Sequence, residues 1–255
     1  MNFEGKVVLI TGAAGEIGKQ TARLFHENGA KLALVDIDKK ALEDTAHELG
    51  LINYLLIQAD VTDEEEVENY VEQTIEAYEK IDVFFNNAGI SGKLAAITEV
   101  NTDDLDKAIN INIKGVFYGL KYVLQIMKRQ NGGAVINTSS VAGLNGSLLL
   151  APYSATKHAV IGLTKTAALE VAKYNIRVNA ICPSPVDTEL MSKLDKEKNP
   201  EDPEKARENY SAKVPLGRYA TAEEIANLVS FLSSDQSSFI TGGSYLIDGG
   251  HTASY

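Results

Sequence analysis

Seven short apolar runs alternate with longer amphipathic windows, and this alternation limits the architectures open to the chain more than any other feature. The runs are Val7 to Ile10, Leu32 to Val35, Tyr54 to Ile57, Val83 to Phe85, Ala134 to Ile136, Val178 to Ile181 and Tyr245 to Ile247. Each is nearly continuous in hydrophobicity, as strands are when helices cover both faces of their sheet. Strands separated by helices pair in parallel, because the crossover returns the chain to the end where it began. The pattern predicts an α/β fold of the doubly wound Rossmann type, one parallel sheet with helices on both faces. With 255 residues and no repeat, low-complexity tract or linker, it predicts one domain over residues 1–255.

The helical windows differ in character. After Asp63, the acids Glu64, Glu65, Glu66, Glu68 and Glu72 interleave with Val67, Val71 and Ile75, which reads as a solvated helix with acids at its N-terminus. The window from Tyr153 to Val171 is apolar nearly all round, as is the segment from Ile109 to Met127. A helix apolar on every side must be covered on two. These two are therefore expected to build a subunit interface, with burial inside one subunit as the alternative.

Bulk composition excludes several classes of partner. A net charge of -11 would be repelled by a nucleic-acid backbone or an anionic membrane, and no window approaches a membrane span. The single cysteine, Cys182, leaves no internal disulfide and suits a reducing compartment; its apolar surroundings read as packing. The chain enters a strand almost at once after Met1, without a basic, apolar and small-residue leader, so the expected location is the cytoplasm. His26, His47, His158 and His251 show no metal-ligand spacing, and no metal is expected.

Candidate binding residues fall at successive strand ends. Gly12, Gly15 and Gly18 lie between the first strand and a helix, with Glu16 and Ile17 among them. Glycine there permits a tight turn and lets backbone N–H groups approach a pyrophosphate at the helix N-terminus. Asp36 ends the second strand, where a carboxylate accepts hydrogen bonds from adenosine ribose hydroxyls and repels a 2′-phosphate, which favours NAD over NADP. The alternative for Asp36 is a helix cap shared with Asp38. Asp60 and Val61 follow the third strand, placed to meet adenine, and Asn87, Ala88 and Gly89 close the fourth, where small residues let the backbone approach a ribose. Together they trace one dinucleotide across the carboxyl edge of the sheet.

Tyr153 and Lys157 stand four apart, on one face of a helix, with Ser140 thirteen positions before the tyrosine. A free phenol has a pKa of about 10. A neighbouring ammonium and a positive nicotinamide ring would favour its phenolate, making Tyr153 a usable acid–base group.

These positions strongly resemble the short-chain dehydrogenase/reductase family, and the likeness runs from Lys6 to Gly250. It rests on Thr11 to Gly18, Asp60, Asn86 to Gly89, Asn112 before Ile113-Lys114-Gly115, Ser140, Tyr153, Lys157, Arg177 to Ala180, Thr188 and Asp248 to Gly250. The resemblance implies a seven-stranded sheet, a tetrad of Asn112, Ser140, Tyr153 and Lys157, and a homotetramer or homodimer. It also implies that Lys157 holds the nicotinamide ribose, that Ser140 donates to the substrate oxygen, that Asn112 steadies a water leading from Lys157 to solvent, and that Thr188 and the backbone at Val186 meet the carboxamide.

Two positions depart from the family pattern. Glu16 stands where a glycine is usual, with the glycine shifted to Gly15 as in some polyol and sugar-alcohol dehydrogenases, and Ser184 replaces a glycine after Pro183. Glu16 is expected either to face solvent or to face the phosphates and weaken binding. The charged, proline-broken stretch at about 188–214 is expected to be a lid beside the nicotinamide end, or else a disordered loop. Leu144, Ser147 to Leu150 and Ser91 to Leu94 are expected to flank a mostly apolar pocket.

The reading that results is an NAD-dependent dehydrogenase of a secondary alcohol or its ketone. Its alternatives are an NADP-linked carbonyl or 3-oxoacyl thioester reductase and a catalytically silent NAD-binding regulatory protein.

Overall fold

The computed structural model describes residues 1–52 and 54–253. All seven apolar runs are strands: β1 (Val7–Thr11), β2 (Lys31–Asp36), β3 (Tyr54–Gln58), β4 (Val83–Asn86), β5 (Gly133–Thr138), β6 (Ile176–Pro183) and β7 (Ser244–Ile247). They form one sheet in the order β3-β2-β1-β4-β5-β6-β7, and every neighbouring pair is parallel. The helices are α1 (Glu16–Glu27), α2 (Lys39–Glu48), α3 (Glu64–Tyr78), α4 (Thr102–Ile109), α5 (Val116–Gln130), α6 (Ala151–Val171), α7 (Glu189–Lys198), α8 (Pro203–Ser211) and α9 (Ala222–Ser233).

The period of two along each strand divides the core between the faces of the sheet. Val8 and Ile10 of β1 pack with Phe25 of α1, Leu42 of α2, and Ile225 and Val229 of α9. Leu9, between them, packs with Val67 and Val71 of α3, Val123 of α5 and Val160 of α6. Both sides of β1 are thus covered, which is why all five of its residues are buried. The order of strands reverses at β1, whose neighbours are β2 and β4, and in such sheets a crevice opens there beyond the carboxyl ends.

Between α4 and α5 the chain makes a π-helical stretch, Asn110–Gly115, that carries Asn112 inward. The region of 188–214 is not structureless. Thr188 caps α7 by accepting from the Met191 N–H, Asp202 caps α8 by accepting from the Lys205 N–H at 3.0 Å, and Pro203 occupies a first-turn position where a missing N–H costs nothing. Asp195 of α7 is buried and accepts the Tyr219 hydroxyl at 3.0 Å, fixing the helix to the body. Among the described residues no helix is long and apolar enough to cross a membrane.

Candidate active site

The turn after β1 is shaped by close backbone approach. Gly12 has φ +64°, and a Cβ there would stand 2.9 Å from the Cα of Ala88. A Cβ on Gly18 would stand 2.2 Å from the Gly12 carbonyl oxygen, so α1 can seat on the turn only with glycine at that place. Thr11 Oγ1 accepts from the N–H groups of Asn87 and Ala88 at 3.0 and 3.2 Å. Asn87 Nδ2 donates to the Thr11 and Gly12 carbonyls, and its Oδ1 accepts from Thr138 Oγ1 at 3.1 Å. One asparagine side chain thereby ties the ends of β1, β4 and β5 together.

Above these ends lies a cleft of ≈ 430 Å³. Gly12, Gly15, Glu16 and Ile17 line it from the turn, Asp36 from the end of β2, and Asp60 and Val61 from beyond β3. Asn87, Ala88 and Gly89 line its middle; Tyr153, Lys157 and Thr188 stand at the other end. Gly18 lies beneath the turn rather than in the cleft, and Val186 opens onto a neighbouring cavity instead. Ala14, Ile37, Ile111 and Leu190 also line the cleft without being marked in the sequence. For Ala14 the reason is that it contributes backbone: its N–H donates to Asp36 Oδ2 at 3.0 Å.

The carboxylates of the cleft have separate tasks. Asp38, not Asp36, caps α2 by accepting from the Ala41 N–H at 3.0 Å. Asp36 accepts from the Asp38 N–H at 3.2 Å and stays on the cleft wall. Asp60 accepts from the Thr62 N–H at 2.8 Å, and Val61 is packed so closely that a Cβ on Gly115 would stand 2.9 Å from its Cγ2. Glu16 takes neither expected orientation alone: its Oε1 accepts from the Glu189 N–H at 3.0 Å, at the start of α7. A backbone cradle at a helix N-terminus with a carboxylate across from it fits a dinucleotide.

At the far end, Lys157 Nζ donates to the Thr138 carbonyl at 2.8 Å and lies 5.6 Å from the centroid of the Tyr153 ring. A Cβ on Gly89 would stand 3.4 Å from that Nζ and 3.1 Å from Asn112 Oδ1, so lysine, asparagine and the loop after β4 meet at one point. Asn112 is fully buried; it accepts from the Ile90 N–H and donates to the Ile90 carbonyl, both at 2.9 Å, and donates to Thr156 Oγ1 at 3.0 Å. Its side chain thus joins the β4 loop to α6. Ser140 is buried beside Tyr153, with its Oγ accepting from the Ala142 N–H at 3.1 Å. The neighbouring Ser139 hydroxyl donates to the Lys157 carbonyl at 2.9 Å, which locks the serine loop to the tyrosine helix.

A family model described as enoyl-(acyl carrier protein) reductase matches residues 12–252. The levodione reductase of Leifsonia aquatica is 42% identical over 260 residues, covering 99% of this chain and 96% of that protein. The chain belongs to the short-chain dehydrogenase/reductase family. This short-chain dehydrogenase/reductase is also similar to the 3-oxoacyl-[acyl-carrier-protein] reductase of Thermotoga maritima, 42% identical over 254 residues that cover 98% and 99% of the two proteins. The crystal structure of a levodione reductase superposes with a TM-score of 0.98 at 42% identity over the whole of both chains. That of an NAD+-bound xylitol dehydrogenase gives 0.93 at 39% identity, over 98% of this chain and 100% of the other.

In this short-chain dehydrogenase/reductase Ser140 and Tyr153 also open onto an inner chamber of ≈ 140 Å³, walled by Val186, Leu190, Met191 and Leu194. Of the leucine loop, Ser147 and Leu150 reach it, whereas Leu148 and Leu149 line a larger outer chamber. The electrostatics depart from expectation. Burial pushes the Tyr153 phenol above its ordinary value, with the Ser140 hydroxyl pulling it down less strongly. Burial likewise brings the Lys157 ammonium down to about 8. Desolvation disfavours the charged form of each, and it is the largest influence on both. Burial also raises the Cys182 thiol, to about 11, consistent with packing rather than reactivity.

Proposed function

We propose that this chain is an NAD(H)-dependent dehydrogenase acting on secondary alcohols and the matching ketones, with Asn112, Ser140, Tyr153 and Lys157 as its working residues. One observation carries this reading: Tyr153 borders both the long cleft and the small chamber, with Ser140 beside it in the chamber and Lys157 behind it in the cleft. A bound nicotinamide dinucleotide supplies or accepts the hydride. Tyr153 gives its proton to the substrate oxygen in reduction and takes it in oxidation, while Ser140 donates a hydrogen bond to that oxygen. Lys157 orients the ribose end and supplies positive charge near the phenol. Asn112 positions the others through Ile90 and Thr156.

The Asp36 carboxylate supports NAD over NADP, because a 2′-phosphate would stand against it. The likeness to an NAD+-bound xylitol dehydrogenase points the same way. A second reading, an NADP-linked 3-oxoacyl thioester reductase, is favoured by the Thermotoga relative. Following reduced-cofactor absorbance with NAD and NADP against cyclic alcohols, polyols and a 3-oxoacyl thioester separates the two: preference for NADP and the thioester would overturn the first.

Residues 188–214 serve this one-domain enzyme as a lid, through α7 and α8. The protein acts in the cytoplasm as a homotetramer or homodimer paired through α5 and α6, whose Phe117 and Leu169 are 49% and 84% exposed.

A further inference from the structure

The inner chamber is too small for more than the reacting end of a substrate, and beside it lies an outer chamber of ≈ 730 Å³. The two share Val141, Ser147, Leu150, Lys198 and Tyr210. A molecule whose carbonyl or hydroxyl carbon faces Tyr153 therefore has its remainder directed outward past Lys198 and Tyr210.

The outer chamber differs in charge from the rest of the molecule. The chain carries a net charge of -11, yet among the described residues the chamber lining includes Lys198 and Lys213 and no aspartate or glutamate. Tyr210 holds both lysines: Lys198 Nζ lies 4.7 Å and Lys213 Nζ 6.0 Å from its ring centroid. The ring is itself braced edge-on by Tyr219 at 6.0 Å and His251 at 5.4 Å. Asn145 and Asn209 add amide donors to the same wall.

The neighbouring acids stand outside the chamber lining. Asp195, the carboxylate that acts on Lys198, accepts the Tyr219 hydroxyl, Glu197 accepts from the Leu94 N–H, and Asp187 pairs with Arg207. Burial pulls the Lys198 ammonium down, Asp195 supports it, and Lys213 pulls it down further. Two ammonium groups that repel each other across a cavity gain from an anion placed between them.

We propose that the outer chamber binds the anionic end of the substrate, a carboxylate or phosphate carried a short chain away from the reacting carbon, between Lys198 and Lys213. The substrate class is then an oxo or hydroxy acid, or the corresponding phosphate ester. This rests on the reading of the inner chamber as the place of hydride transfer.

The test is calorimetric titration of the full-length protein with a straight-chain oxo acid, its methyl ester and the oxoalkyl phosphate of equal length. The acid or the phosphate is expected to bind about tenfold or more tighter than the ester at low salt, a difference of about 1.4 kcal/mol or more. The preference between acid and phosphate identifies the anion. The double variant Lys198→Gln, Lys213→Gln should bring the favoured anion to the affinity of the ester, and raised ionic strength should weaken anion binding alone. Because each variant is compared with itself across ligands, the ratio does not depend on how much of it folds. Equal affinity for all three ligands, no binding of any, or an anion preference surviving in the double variant would overturn the proposal. Turnover with NAD is read separately: anion preference with no turnover of any alcohol or ketone would count against the dehydrogenase reading and not against the anion site.

Discussion

The Glu16 carboxylate accepts a hydrogen bond from the Glu189 N–H at 3.0 Å, joining the glycine turn after β1 to the first turn of α7. A negative group at a helix N-terminus is favourable, so the residue that departs from the family's glycine becomes a fastening for α7. Glu16→Ala is expected to speed limited proteolysis within Glu189–Lys198 several-fold, with Glu16→Gln between it and the parent. Unchanged cleavage accompanied by tighter dinucleotide binding would instead place the carboxylate's main effect on the phosphates.

Tyr153→Phe keeps the ring and removes the proton carrier. Turnover should fall by roughly 10²–10⁴-fold, the usual scale for a lost acid–base group, with an unaltered circular dichroism spectrum. Because burial raises the phenol, it is protonated at neutral pH, ready for reduction; oxidation needs it deprotonated and is expected to quicken as pH rises.

Lys157 gives stability a pH dependence. Its folded value of about 8 lies below the ordinary 10.5, so between these values the unfolded chain binds more protons than the folded one. Stability from this group therefore rises with pH across that window, and its cost is fully present below about 8. Lys157→Met removes the cost, so its Tm advantage over the parent should shrink as the buffer is taken from about pH 8 to 10. A constant Tm difference would mean that burial does not weaken the proton affinity of this amine.

Asp36→Ser removes the charge beside the ribose end of the cleft. Fluorescence titration should show the NAD-to-NADP affinity ratio falling by about tenfold or more, the scale of one like-charge contact relieved. An unmoved ratio would mean that discrimination lies elsewhere.

The three glycines of the turn are not equivalent. A Cβ on Gly15 meets nothing nearer than 3.6 Å, whereas one on Gly18 would lie 2.2 Å from the Gly12 carbonyl oxygen. Gly18→Ala should therefore lower both Tm and dinucleotide affinity more than Gly15→Ala, by about 1–3 kcal/mol in stability. Equal effects in a thermal melt would contradict the packing described.

The sequence by itself determined the strands and the order of chemistry along their ends. Period and composition suffice for that, because a strand buried on both faces must be continuously apolar and a tight turn against a helix must be glycine. Tyr153 and Lys157 were legible for a similar reason, since helical spacing alone puts them on one face. The helices α7 and α8 were not read from the sequence, because the density of charge and proline between 188 and 214 hid the caps that Thr188 and Asp202 supply.

Tertiary structure alone decided what partners these residues find. Glu16 reaches Glu189 across 173 positions, Asn87 ties three strand ends, and Asn112 spends its amide on Ile90 and Thr156. Lys198, Tyr210 and Lys213 converge only because α7 and α8 pack against each other. The same holds for the proton affinities of Tyr153 and Lys157: sequence places an ammonium near a phenol, but only the packed interior sets the desolvation that raises one and lowers the other. Local pattern fixes backbone geometry within one element, while contacts between distant elements and the dielectric around them exist only once the chain has closed on itself.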